Sequence, residues 1–284
     1  MATNRRRWRW WWLLVPPCLF VAWLFAVWPP PSWYRAHFPG NTAFMQMRGN
    51  IGRYRPVPLD SIAPTMAVAA MTGEDAKFWE HDGIDYEAIR KALGYRRADF
   101  DWQDPRDRAA MWKALGRAWE RREALRGAST ITQQLAKNLY LSPSRNPRRK
   151  VKEAITAWRL ERVLGKRRIL ELYLNVAEMG PGIWGAQAAS EAYFRKPAAR
   201  LTRSEAAALA GLLPFPLRSN PALKPGRMRW RQRLILRRMA GESLEIPQTD
   251  AEIPAQADAD TAPAEPDTAP AGPDTTSAAP DTSH

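Results

Sequence analysis

Cysteine is nearly missing from this chain of 284 residues, with Cys18 the single example. No intramolecular disulfide can form, and cysteine usage leaves the redox compartment undecided. Histidine is scarce too, at three residues, and no His, Cys, Asp and Glu spacing in the chain demands a metal ion. Strand signals are equally thin. No stretch alternates apolar and polar residues over a useful length, whereas apolar residues at helical spacing recur from about residue 61 onward. Acidic residues are short in one part only. Ser243 to His284 holds nine of them and no Lys or Arg, so Met1 to Glu242 carries about +23 against a formal net charge of +14 for the whole chain. A body this basic suits nucleic acid, anionic lipid or a phosphate-bearing substrate, and charge alone does not choose among them.

The N-terminus supplies the long apolar run. Trp10 to Trp28 contains 19 consecutive uncharged residues, which as a helix rising ~1.5 Å per residue would cover roughly the hydrocarbon thickness of a bilayer. Trp10, Trp11 and Trp12 crowd one end, and Trp23 and Trp28 mark the other, as amphipathic rings do at membrane interfaces. Arg5, Arg6, Arg7 and Arg9 precede the run, so the positive-inside tendency predicts a cytoplasmic N-terminus and an extracytoplasmic body. A cleaved signal peptide fits less well, because Phe25 to Pro31 lacks a small-x-small cleavage site. The expected organisation is residues 1–9 in the cytoplasm, a transmembrane helix over 10–28, a linker over 29–57, one domain over 58–242, and a disordered Pro, Ala, Asp and Thr tail over 243–284.

Within the domain, helices are expected from Ser61 to Thr72 with Pro64 in the first turn, and after Asp85 as a cap. Others are expected over Ser129–Tyr140, Arg149–Leu164, Arg168–Met179, Gly185–Phe194 and Ser204–Leu213. Tyr95 to Arg126 reads as a partly helical insertion. Three clusters along this frame could carry chemistry. The first is Gly73 to Asp85, where Glu74, Asp75 and His81 follow directly on an apolar helix. A carboxylate partly desolvated at such a junction has a raised pKa and suits general-base work, although a solvated helix end would read the same way. The second is Gly127 to Asn138, whose polar helix face offers hydroxyls, amides and Lys137 but no carboxylate, an inventory for a sugar or an anion. The third is the basic run Arg145 to Glu153, in which Arg149 and Glu153 stand one helical turn apart. Together they offer carboxylates, a histidine and cations at helix starts, as expulsion of an anionic leaving group requires.

At these residues the sequence closely resembles the peptidoglycan glycosyltransferase family. Glu74-Asp-x-x-Phe-x-x-His-x-Gly-x-Asp85 is similar to the family's first motif, Gly127-Ala-Ser-Thr-Ile-Thr-Gln-Gln-Leu-Ala-Lys-Asn138 to its second, and Arg149-Lys-x-x-Glu153 to its third. Arg168 to Asn175 with Gly180, Gly185 and Tyr193 to Lys196 resembles the fourth, and Leu201 to Pro214 the fifth. The resemblance implies a mainly α fold, a lysozyme-like helical domain with a small membrane-proximal lobe, following the N-terminal transmembrane helix. It implies that Glu74 is the base that deprotonates the acceptor sugar's 4-hydroxyl, with Glu153 a second essential carboxylate. Lys137 and Arg149 would neutralise the leaving diphosphate, beside Ser129, Gln134 and Asn138, while Asp75, Phe78 and His81 shape the first motif. The implied substrates are lipid II and the growing glycan, at the cytoplasmic membrane and with the domain on the periplasmic side. Membrane lipids are implied partners, other cell-wall synthesis and division proteins stay open, and nucleic acid is not expected. No cofactor is required, and a divalent cation is compatible. Two departures stand out: Gly127-Ala128 occupies a place where Gly-Gly is frequent, and the segment Tyr95 to Arg126 is longer than the family's pattern. Only the acidic tail follows the fifth motif, in place of a transpeptidase domain with a Ser-x-x-Lys nucleophile, which points to the monofunctional form.

Overall fold

The computed structural model describes residues 8–49, 52–92, 101, 103–118, 129–141, 147–247, 253–254 and 256–257. These are mainly helical. The helices are α1 (Trp8–Phe25), α2 (Ala43–Arg48), α3 (Pro64–Glu74), α4 (Tyr86–Ala92), α5 (Pro105–Ala118) and α6 (Ile131–Tyr140). They continue with α7 (Pro147–Leu164), α8 (Lys166–Val176), α9 (Gly185–Phe194), α10 (Arg203–Leu212) and α11 (Gly226–Met239). Gly127, Ala128, Arg145 and the parts of the 95–126 insertion flanking α5 lie outside the described residues.

Local chemistry accounts for most boundaries. Pro64 occupies the first turn of α3, where its missing N–H costs nothing. Asp85 accepts the Ala88 N–H at 2.8 Å and starts α4 as expected. Two expectations shift. The start of α10 is capped by Thr202, whose hydroxyl and Glu205 form a reciprocal capping box, so Ser204 already lies inside the helix. Helix α8 ends at Val176 and not at Met179, because residues 178–184 turn into a hairpin. That hairpin is the strand content that the sequence pattern did not signal. Strands β2 (Glu178–Gly180) and β3 (Ile183–Trp184) pair antiparallel, and β1 (Arg53–Tyr54) adds parallel to β3 with Arg53 opposite Ile183. Strands of two or three residues are too short to show an alternation. Gly185 closes the hairpin at φ +82°, and a Cβ there would stand 2.3 Å from the Asn175 carbonyl oxygen, so only glycine fits.

One buried cluster unites the domain, with Ile131, Leu135, Leu160, Ile169, Leu172, Tyr173 and Trp184 among its fully buried side chains. Each large aliphatic residue buried there contributes roughly 1.5–3 kcal/mol. Small residues decide how closely the helices approach. A Cβ on Gly211 of α10 would meet the Met228 carbonyl oxygen at 2.8 Å, so α10 and α11 pack almost backbone to backbone, while one on Gly73 of α3 would meet the Ile235 side chain at 3.1 Å. Helix α11 was not anticipated, since its Arg-rich surface hides the apolar positions Met228 and Ile235.

The packed region also extends past both expected edges. Tyr34 and Met45, in the segment expected to be a linker, belong to the main cluster. Beyond residue 242, Ile246 joins that cluster too, and Ile253 and Ala257 form a small second one with Phe215, packed against Trp230. Helix α1 leaves Leu14, Leu19, Phe20, Val21, Trp23 and Phe25 exposed and buries Leu24. Its far end touches α7, where Arg159 donates to the Phe25 carbonyl and Lys152 sits over the Trp23 ring. Among the described residues no helix is long and apolar enough to cross a membrane; the 18 residues of α1 stop at Phe25, short of the expected Trp28.

Candidate active site

Glu74 is the last residue of α3, and the chain breaks away at Asp75 with φ −160°. The two carboxylates therefore diverge. Asp75 turns to the start of α6, where its Oδ2 accepts the Ile131 N–H at 2.9 Å, one of the amides a helix start leaves unsatisfied. His81 donates from Nε2 to the same carboxylate at 3.0 Å, while its Nδ1 accepts the Gly83 N–H at 3.1 Å. Accepting at one nitrogen and donating at the other is the pattern of a neutral ring. The Thr130 hydroxyl, itself capping α6 in a box with Gln133, donates to the Gly83 carbonyl at 2.7 Å. Phe78 is fully buried beneath this loop, with the Lys166 ammonium 4.5 Å from its ring centre. The first motif is thus stitched to the start of the second.

Glu74 points the other way, with 5% of its side chain exposed. Gln134 of α6 donates to Oε2 at 3.0 Å and Arg231 of α11 to Oε1 at 2.9 Å. Arg231 is itself fully buried and also donates to the Gly73 carbonyl at 3.2 Å. Burial pushes the Glu74 carboxyl above its ordinary range, and the Arg231 charge, then the Gln134 hydrogen bond, then Lys137 pull it back. Tyr173 completes the line by donating to Gln134 Oε1 at 3.2 Å, which fixes the amide's orientation.

A second cluster lies along α6 and α7. Glu153 is 3% exposed and accepts hydrogen bonds from Arg149 and Lys150 together. Lys150 also donates to the Ser129 hydroxyl at 2.8 Å. Lys137 lies close enough for Glu153 and Glu74 to raise its pKa, although burial wins and lowers it. Its ammonium stands 5.8 Å from the Phe44 ring centre and makes no ion pair among the described residues. Three cations thus surround one carboxylate, a net positive region suited to an anion. Asn138 is buried on α6 and makes no hydrogen bond to this group among the described residues.

Between the first motif and α11 opens a cavity of about 200 Å³, with Glu74, Ser129, Asp85, Lys91 and Arg238 on its walls. Among the described residues, no group of three or more His, Cys, Asp and Glu is placed to hold a metal ion. The expected site residues therefore fall into two connected sets, Glu74 with Gln134, Asp75, His81 and Phe78, and Glu153 with Arg149, Lys137 and Ser129. Sequence reasoning missed Arg231 and Arg238. The Arg-rich run of α11 masked them, and the only signal would have been their seven-residue spacing on one helix face.

A buried, deliberately restrained carboxylate between a cavity and a cation cluster is the arrangement of a group-transfer enzyme. The chain matches the sequence model of the Transglycosylase family over residues 98–240. It is 41% identical over 233 residues to the biosynthetic peptidoglycan transglycosylase of Bordetella avium, covering 78% of this chain and 89% of that protein. The protein of that name from Bordetella pertussis is 40% identical over 240 residues, 81% and 89% of the two chains. The one from Shigella boydii serotype 4 is 45% identical over 184 residues, 64% and 66%. The chain belongs to the transglycosylase family, the enzymes of peptidoglycan glycosyl transfer.

Proposed function

We propose that this chain polymerises lipid II into linear glycan strands of the bacterial cell wall, transferring the lipid-diphosphate-linked chain to the acceptor's 4-hydroxyl with inversion and release of undecaprenyl diphosphate. The observation that carries the reading is the setting of Glu74. A general base must be ionised before it can take a proton, yet basic enough to hold one. Burial raises the Glu74 carboxyl and Arg231 limits that rise, so both conditions are served. As the acceptor oxygen attacks the donor's anomeric carbon, its proton passes to Glu74. The carbon–oxygen bond to the diphosphate breaks on the opposite face, and its electron pair leaves with the phosphate oxygen. Lys137, Arg149 and Lys150 receive that charge, with Glu153 holding the last two in place. An ammonium and a planar guanidinium complement each other on phosphate oxygens. These cations supply the charge needed, and a divalent cation would add to it without replacing them.

Location follows from the same reading. The anchor in this reading is the whole uncharged run of residues 10–28, which continues past the end of α1; it would hold the chain in the cytoplasmic membrane, N-terminus inward, with the domain on the outer side where a lipid-linked substrate is met. The fold is taken as the lysozyme-like domain with its small membrane-proximal lobe.

The deciding experiment is Glu74→Gln in the full chain, assayed on purified lipid II. Strand synthesis is expected to fall by about 10²–10⁴ in a chain that still folds, at a lower Tm because Arg231 loses its charge partner. Wild-type protein that shortens preformed glycan and makes none would instead assign a lytic activity.

A further inference from the structure

The cavity beside Glu74 carries charges that are nearly all matched. Glu74 has Arg231, and Asp75 has His81 and the Ile131 amide. Lys77 and Lys91 share Glu87, and Asp85, which accepts the Ala88 N–H, is close enough for its charge to act on Lys77 as well. Arg238 is the exception. It lines the same cavity, is only partly exposed, and has no acidic partner among the described residues. Because it stands seven residues beyond Arg231 on α11, the two guanidinium groups rise from one face, ~10 Å apart along the axis. One grips the base, and the other stands on the cavity wall.

We propose that Arg238 binds an anionic group of the acceptor, carried about one sugar beyond the hydroxyl that meets Glu74, and so sets which molecules serve as acceptor. This rests on the polymerase reading. The matched pairs around the cavity offer such a group no other free cation among the described residues, and the Lys137, Arg149 and Lys150 cluster lies beyond Ser129 on the donor side. Two groups on a lipid-linked disaccharide have this chemistry, its diphosphate and a carboxylate of its peptide stem.

The test uses the full chain with a lipid-diphosphate glycan blocked at its non-reducing end, so that it serves only as donor, while the acceptor is varied. Arg238→Ala and Arg238→Gln are expected to raise the acceptor KM by about tenfold or more, with kcat at saturation and donor KM within about twofold of wild type. Arg238→Lys recovers part of the loss. A penalty that persists with a peptide-free acceptor and disappears with one lacking the diphosphate assigns the diphosphate, and the reverse assigns the stem carboxylate. An unchanged acceptor KM, or equal losses on donor and acceptor, overturns the proposal. Equilibrium binding of lipid II to the Glu74→Gln chain, with and without Arg238→Ala, needs no turnover. A loss there supports Arg238 even if wild type polymerises nothing, an outcome that would sink the polymerase reading alone, whereas equal binding refutes Arg238 directly.

Discussion

Replacing Arg231 with Gln tests the link between α11 and the base. The substitution removes the charge 2.9 Å from Glu74 Oε1 and the donor to the Gly73 carbonyl, in a place with no access to water. Removing one member of a buried ion pair costs about 3–5 kcal/mol. For a domain of this size that lowers Tm by roughly 6–20 °C. The sign of the pH dependence is fixed by Glu74, whose carboxyl burial already holds above its unfolded value. Without Arg231 it rises further, so the native state keeps a proton at pH values where the unfolded state has lost it. Stability then falls as pH rises. The Tm deficit of Arg231→Gln should therefore be smallest at the acid end of the range over which the chain stays folded and should grow as pH rises. The acid limb of kcat/KM for strand synthesis should move to higher pH, and Arg231→Lys should move it less. Melts of detergent-solubilised full chain across that range, with the rate profile alongside, decide the matter. An identical deficit at both ends, or a folded variant whose acid limb stays in place, refutes the reasoning.

Glu153→Gln removes the negative charge and one of the two oxygens that hold Arg149 and Lys150, and polymerisation of lipid II should drop by at least about tenfold as the pair loses its fixed geometry. Gly185→Ala forces a side chain into φ +82° and against the Asn175 carbonyl. The backbone alone costs about 1–2 kcal/mol, so a Tm drop of several degrees is expected, and an unchanged melt would mean that the hairpin relaxes freely. Ending the chain after Glu242 removes Ile246 and Ile253 from their packing and should lower Tm by several degrees, each burial being worth roughly 1.5–3 kcal/mol when complete.

What could be read from the sequence follows the range of the interactions involved. Helix α6 declared itself because its apolar spacing and its polar face are local, although it begins at Ile131 and not at Ser129, with Thr130 as its cap and not a member of that face. The Arg149 and Glu153 contact was readable for the same reason, being one turn of one helix. Arg231 was not, since 157 positions separate it from Glu74 and only the tight packing allowed by Gly73 and Gly211 brings them together. The hairpin over residues 178–184 was hidden by its brevity. The continuation past residue 242 was hidden by composition, because two isoleucines and an alanine among Pro, Asp and Thr give no periodicity, yet Ile246 joins the main cluster and Ile253 and Ala257 find Phe215 and Trp230.

That last contact makes the chain's end a handle on its interior. Trp230 adjoins Arg231, so the point where Ile253 and Ala257 are clasped and the point where the base is gripped are neighbouring residues of one rigid helix. Tension on the acidic tail, from a fused tag or from whatever the tail engages, would be felt at Phe215 and at Trp230 of α11, next to the residue that grips the base.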